Sequence, residues 1–255
     1  MSQSGKKAGK RAPKKRLDVL VVEKGLARSR RSARTLIMTG DILVNDTPVD
    51  KPGVSIPEDA RIVSRRPEMP YVSRGGLKLA HGLEAFDLDV RGFKCLDVGA
   101  SSGGFTDCLL QAGAVHVYAV DVGYGQLDWR LRKDGRVTVL ERTNIRYATF
   151  ELLPADFDLI TIDVSFISLK IVVTAVQPFL KSGGCILALV KPQFEVGKGQ
   201  VGKGGVVKDT RLHEQVLDDL TQSFEAQGFS ALGHCPSPIL GPKGNKEFLL
   251  CLMGP

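Results

Sequence analysis

Long apolar runs are missing from this 255-residue sequence. Nothing approaches the ~18 consecutive apolar residues of a membrane-spanning helix, so a membrane partner is not expected. The basic N-terminus carries no apolar segment, which argues against a secretory signal. Cysteine is sparse: Cys95, Cys108, Cys185, Cys235 and Cys251 are scattered and form no CxxC pair. That spacing speaks against a zinc finger, a disulfide scaffold or any other metal centre, and the odd count suits reduced thiols in the cytoplasm. What is present is ordinary for a folded protein, with 43% hydrophobic and 25% charged residues. The length fits one large domain, or a large domain with a small appendage.

The charge is unevenly placed. Residues 1–66 hold 16 Lys and Arg against 7 Asp and Glu, a balance of +9, whereas the remainder holds 19 against 21, or −2. Such asymmetry points to a polyanionic partner for the first quarter of the chain. The Lys- and Arg-rich stretch 1–15 is set among Ser, Gly and Ala and reads as a disordered basic tail.

Residues 16–66 read as a small domain. Leu17, Leu20 and Val21 follow helical spacing, and Gly25 is a helix stop. Ser29 is a suitable N-cap for a second helix, with Ala33, Leu36 and Ile37 on its apolar face and Gly40 at its end. Arg30, Arg31 and Arg34 lie off that face and are brought together by i,i+3 and i,i+4 spacing. Ile42–Val44, the polar Asn45-Asp46 and Val49 then read as a short hairpin. The order of helix, arginine cluster and hairpin resembles the S4 RNA-binding domain, an α-L fold. The resemblance is carried by Arg16-Leu-Asp-Val-Leu20, Ser29-Arg-Arg-Ser-Ala-Arg34, Gly40-Asp-Ile-Leu-Val-Asn45 and Val49-Asp-Lys-Pro-Gly53. It implies RNA contacts from Arg16, Arg28, Ser29, Arg30, Arg31, Arg34 and Lys51, since clustered guanidiniums grip several phosphates at once. Arg74, just beyond, is a further candidate.

Residues 67–72 read as a linker, with prolines and little periodicity. From residue 73 onward, strand-like runs alternate with helical stretches. Cys95–Val98, Val115–Val120, Leu159–Ile162 and Cys185–Val190 are predominantly apolar rather than strictly alternating, as in a parallel sheet covered on both faces. A helix is expected at 210–227 and a strand over Glu247–Leu252. The predicted architecture is α/β, a doubly wound Rossmann-like sheet whose ligands sit at the carboxyl ends of its strands.

The sharpest local motif is Asp97-Val-Gly-Ala-Ser-Ser-Gly-Gly-Phe-Thr-Asp107, between a strand and a helix. Its glycines permit a tight turn and close approach to a ligand. Asp121 ends the next strand, 24 residues after Asp97, near the ~20-residue offset of a ribose-binding acid. A glycine loop with an acid fits a dinucleotide or S-adenosylmethionine, but GxGxxG is absent, which counts against NAD. The Asp-x-Gly opening with Gly-Gly-Phe resembles motif I of the S-adenosylmethionine methyltransferases. That likeness makes Asp97, Gly99, Ala100, Ser101, Ser102, Gly103, Gly104, Phe105, Asp121 and Val122 cofactor candidates, and by analogy adds Asn144, Ile145 and Asp163.

Four charged residues complete the pattern. Asp163 and Lys191 follow apolar strands, Glu247 opens the last one, and Lys78 lies at the domain's start. In this order around the glycine loop they resemble the Lys-Asp-Lys-Glu tetrad of FtsJ-like RNA ribose 2′-O-methyltransferases. The added S4 domain makes the whole chain from residue 16 resemble the TlyA family, often labelled hemolysin A. Its markers here are Val72-Ser-Arg-Gly-Gly-Leu-Lys78, Asp163-Val-Ser-Phe-Ile-Ser168 and Leu189-Val-Lys-Pro-Gln-Phe-Glu195. The resemblance implies S-adenosylmethionine-dependent methylation of cytidine riboses in ribosomal RNA, with Lys191 as base, Asp163 orienting it and Glu247 holding Lys78 or the ribose. Lys78 is the expected neighbouring cation, favouring the neutral amine at Lys191. Two other classes stay open on the sequence: an RNA-binding protein that only retains a cofactor site, and the cytolysin implied by the label. The Gly-Arg-Leu-Asp setting of pseudouridine synthases is absent.

Overall fold

The computed structural model describes residues 12–27, 29–65, 69–197, 199–202 and 204–255. They fall into two compact units, divided after Glu68. Most of the basic tail, and Arg28, lie outside the described residues.

In the first unit, β1 (Lys14–Arg16) leads into α1 (Leu17–Glu23) and α2 (Arg30–Met38). Strands β2 (Ile42–Val44), β3 (Thr47–Pro48), β4 (Ser55–Pro57) and β5 (Ile62–Ser64) follow. Leu17, Leu20, Val21, Ala33 and Ile37 are buried in one core with Ile42 and Ile62, as the helical spacing requires. Ser29 caps α2 by accepting the Ser32 amide at 3.2 Å. Asn45 and Asp46 both take positive φ, the geometry of a two-residue hairpin turn, and leave β2 and β3 in register. The tail prediction is corrected at Lys14 and Lys15. They pair antiparallel with Pro57 and Ile56, because the chain around Ser55 offers a strand edge to them.

The second unit contains α3 (Gly75–Ala85), β6 (Lys94–Val98), α4 (Gly104–Gln111), β7 (His116–Val120), α5 (Trp129–Lys133) and β8 (Val137–Leu140). It continues with β9 (Phe157–Ile162), α6 (Leu169–Val176), β10 (Leu180–Val190), α7 (Pro192–Glu195), α8 (Thr210–Glu225), β11 (Ser230–Pro236) and β12 (Phe248–Met253). Seven strands form one sheet in the order β11-β12-β10-β9-β6-β7-β8. Alternate residues feed opposite cores. Leu96, Ile160 and Ile186 meet α6 and α8 on one face, and Cys95, Leu159 and Leu187 meet α3 and α4 on the other. That is the doubly wound arrangement, with one departure: β12 runs antiparallel to β10, and β11 antiparallel to β12.

The chain reverses strand order between β6 and β9, which are neighbours in the sheet. A crevice therefore opens beyond their carboxyl ends, where Gly99 and Asp163 follow the two strands. The expected linker is shorter than predicted. Tyr71 and Val72 pack on the second unit's core, and the Val72 amide donates to Asp107 at 2.7 Å. Among the described residues no helix is long and apolar enough to cross a membrane.

Candidate active site

Lys78 lies in the first turn of α3, buried beneath the crevice. Its Nζ donates to Glu247 Oε2 at 2.5 Å. Lys191 follows β10 and caps α7, and its Nζ is 2.5 Å from Asp163 Oδ1 and 3.1 Å from the Ser165 hydroxyl oxygen. All four tetrad candidates line one cavity of about 290 Å3, with Ser73, Arg74, Gly75 and the Ile239–Pro242 loop. Antiparallel pairing explains the presence of Glu247. Val190 faces Phe248 across the ladder, so the start of β12 lies beside the end of β10. Each lysine has its own carboxylate: Glu247 meets Lys78, one of the two partners expected for it, and Asp163 meets Lys191.

Glu247 is a further finding. Oε1 is buried with no hydrogen-bond partner among the described residues. A Cβ added at Gly241 would overlap the Glu247 carboxylate, so a side chain there would displace it from its present position.

A second cavity, of about 390 Å3, shares Gly99, Ser101 and Asp163 with the first. Asp121, Val122, Asn144 and Ile145 line it, as do Val164, Ser165 and Phe166. Asp121 accepts the amides of Ser101 and Gly123, each at 2.7 Å, and so shapes the glycine loop from the next strand. Gly99 has φ +86°, and an added Cβ would lie 2.4 Å from the Asp163 carbonyl oxygen. Ala100, Ser102, Gly104 and Phe105 line the first cavity.

Two predicted cofactor residues line neither cavity. Asp97 is fully buried, where Thr106 and Thr161 donate to its carboxylate at 2.6 and 3.2 Å. Burial pushes its acid up to about 7, and its hydrogen bonds tie the end of β6 to α4 and β9. Gly103 takes φ +93°, with Leu131 and Leu127 where a side chain would go, and serves packing.

The RNA-facing predictions divide as well. Asp18, fully buried, receives Arg16 Nε and Arg30 Nη2, each at 3.0 Å. Those two arginines are thus partly spent on the fold, and they hold the Asp18 carboxyl down at about 2, Arg16 contributing most. Arg31, Arg34 and Lys51 stay exposed, with no ion pair among the described residues. Ser29 is occupied as a cap, and Arg74 lines the first cavity. Sequence reasoning missed Ser165, Gly241 and the Ile239–Pro242 loop. Ser165 stood inside a quoted motif, but no spacing marks the other two.

The match to known families is unambiguous. The FtsJ-like methyltransferase model matches residues 71–253 and the S4 domain model residues 15–62. This chain belongs to the FtsJ-like methyltransferase family. The Mycobacterium tuberculosis 16S/23S rRNA (cytidine-2′-O)-methyltransferase TlyA is 46% identical over 94% of this chain and 90% of its own. The Campylobacter jejuni 23S rRNA (cytidine-2′-O)-methyltransferase TlyA is 38% identical over 70% and 69%. A solved Streptococcus thermophilus structure that carries a hemolysin label is 44% identical, with a TM-score of 0.74 over 95% of this chain and 89% of that one. The FtsJ-like fold therefore accounts for the whole second unit, and the S4 domain for most of the first.

Proposed function

We propose that this protein transfers a methyl group from S-adenosylmethionine to the 2′-oxygen of a cytidine ribose in ribosomal RNA. The observation that carries the reading is the junction of the two cavities at Gly99 and Asp163, with Lys191 in the first cavity 2.5 Å from the shared Asp163. The likeness to rRNA cytidine methyltransferases supplies the substrate class, and the S4 unit supplies exposed cations for RNA.

The residues of the second cavity fit the cofactor. Asp121 suits ribose hydroxyls, Ile145 and Val122 suit an adenine face, and the backbone at Gly99 can approach closely because no Cβ intervenes. Bound there, S-adenosylmethionine supplies an electrophilic methyl carbon on a sulfonium. A ribose hydroxyl attacks such a carbon well only as its proton leaves. Lys191, as the neutral amine, takes that proton, and Asp163 Oδ1 with Ser165 Oγ fixes the direction of its Nζ. Lys78 presents positive charge to the oxygen as negative charge develops there, while Glu247 holds Lys78 in place. Alignment of the hydroxyl with the methyl carbon in the crevice supplies a further part of the rate. Phe166, 90% exposed at the rim, offers a face on which an unstacked base can rest.

The test is methyl transfer from radiolabelled S-adenosylmethionine to unmodified small and large ribosomal subunits, mapped by reverse-transcription stops. Label on a cytidine 2′-oxygen establishes the reaction and its subunit. Cofactor binding without label on either subunit overturns it in favour of a binding protein.

A further inference from the structure

The strand register does not by itself place Lys191 against Asp163. The β9–β10 pairing ends at Ile162 and Ala188; β9 gives way to the irregular segment 163–168, whereas β10 stays paired with β12 as far as Val190 before α7 begins. Past that point, side chains link the two segments stepwise. Lys191 meets Asp163 and Ser165, and the Phe194 ring lies 4.9 Å from the Phe166 ring. Glu195 closes the series: its Oε2 accepts the Ser168 hydroxyl at 2.7 Å and its Oε1 the Leu169 amide at 2.8 Å.

We propose that Glu195 is a positioning residue for the Lys191–Asp163 pair, locking the turn that carries the base to the loop that carries its carboxylate. This rests on the function proposed above. Three features support it. Glu195 lies four residues after Lys191 on the same turn, which is anchored by the Phe194 amide bonding to the Lys191 carbonyl. Its carboxylate faces the N-terminus of α6, where negative charge is favoured and the Leu169 amide has no partner within the helix. Ser168 relays the contact, donating to Glu195 while accepting the Lys170 amide at 3.2 Å. Burial alone disfavours the charged carboxylate, and the contacts to Leu169 and Ser168 counter that. An acidic side chain retained in such a place is explained by what it joins. Loosening it would let the base drift from its aligned position, and misplacement on the ångström scale costs up to about 100-fold in rate.

The experiment uses the full chain and compares Glu195→Ala, Glu195→Gln and Ser168→Ala. Glu195→Ala should lower kcat about 10- to 100-fold, with Kd for S-adenosylmethionine and rRNA within about threefold of the parent. Glu195→Gln, which keeps an acceptor for the Leu169 amide, should recover most of the rate, and Ser168→Ala should fall between. A second readout needs no turnover: acetylation of Lys191 by acetic anhydride, followed by peptide mass spectrometry, should speed up in Glu195→Ala. A lost helix cap alone would lower Tm and leave both kcat and Lys191 labelling unmoved, which overturns the proposal. Should Glu195→Ala fail to fold, Ser168→Ala decides, and parent-like kcat and labelling in it count against the proposal. Should the parent transfer no methyl group, the functional reading fails, and Lys191 labelling alone tests the positioning role.

Discussion

Lys78 Nζ and Glu247 Oε2 lie 2.5 Å apart although 169 residues separate them in the chain. One sits in the first turn of a helix and the other at the mouth of an antiparallel strand. The pair lines the same cavity as Lys191, Asp163 and the glycine loop. The Lys78–Glu247 contact is largely screened from solvent, so removing a single partner leaves a charge without compensation.

Lys191→Ala should abolish most methyl transfer, a loss of about 100- to 10,000-fold in kcat, with RNA and cofactor binding intact. Turnover and filter-binding assays on the same preparation measure both. Near-normal transfer by this variant would remove Lys191 from the chemistry.

Lys78→Met should destabilise the second unit by up to about 3 kcal/mol, because Glu247 stays buried with neither oxygen paired. Lys78→Met combined with Glu247→Gln should regain part of that loss in urea unfolding. Equal stabilities for the single and double variants would show that the two charges are independent.

Gly99→Ala introduces a Cβ 2.4 Å from the Asp163 carbonyl at a backbone angle of +86°. The expected cost is about 1–3 kcal/mol, together with weakened S-adenosylmethionine binding, since the loop must move away from β9. Calorimetric titration and thermal unfolding are the relevant measurements. Gly25→Ala, at an open turn with φ +74°, is the control: it should cost stability without touching the cofactor.

Asp97 gives a pH dependence whose sign is fixed. Its folded acid is pushed up to about 7, whereas an exposed aspartate titrates near ~3.9. Between those values the folded state holds a proton that the unfolded chain has released, so this residue makes stability fall as pH rises from about 4 to about 7. Asp97→Asn keeps the shape and removes the titration. The parent-minus-variant difference in unfolding free energy should therefore turn against the parent by about 1–4 kcal/mol across that window. A flat difference would place the proton elsewhere.

In the S4 unit the sign is opposite. Asp18, held at about 2 chiefly by Arg16, contributes stability that is full above about pH 4 and lost as pH falls toward 2. Asp18→Asn should cost about 1–2 kcal/mol at pH 7, discounted because both arginines are half exposed. Arg31→Ala and Arg34→Ala should instead leave stability alone, weaken RNA binding and reduce its salt slope by about one each.

Much of this was legible in the linear order of residues. Ser29 as a cap, the Asn45-Asp46 turn, the apolar faces of α1 and α2, and the parallel strands β6, β9 and β10 follow from local propensity and periodicity, which act over a few residues. The glycine loop was legible for the same reason: a tight turn writes its requirement into adjacent positions. The roles of Asp97 and Gly103 were not, because the same Asp-x-Gly and Gly-Gly letters serve a ligand or a packed core, and only the neighbours Thr106, Thr161, Leu127 and Leu131 distinguish them. Arg16 and Arg30 read as phosphate ligands until Asp18 is seen buried between them. The sequence alone determined the two domains, the family pattern and the four charged residues. The tertiary structure decided which lysine pairs with which carboxylate and how Glu195 reaches Ser168. Those contacts span 27 to 169 residues and depend on strand direction and helix placement, so no local pattern encodes them.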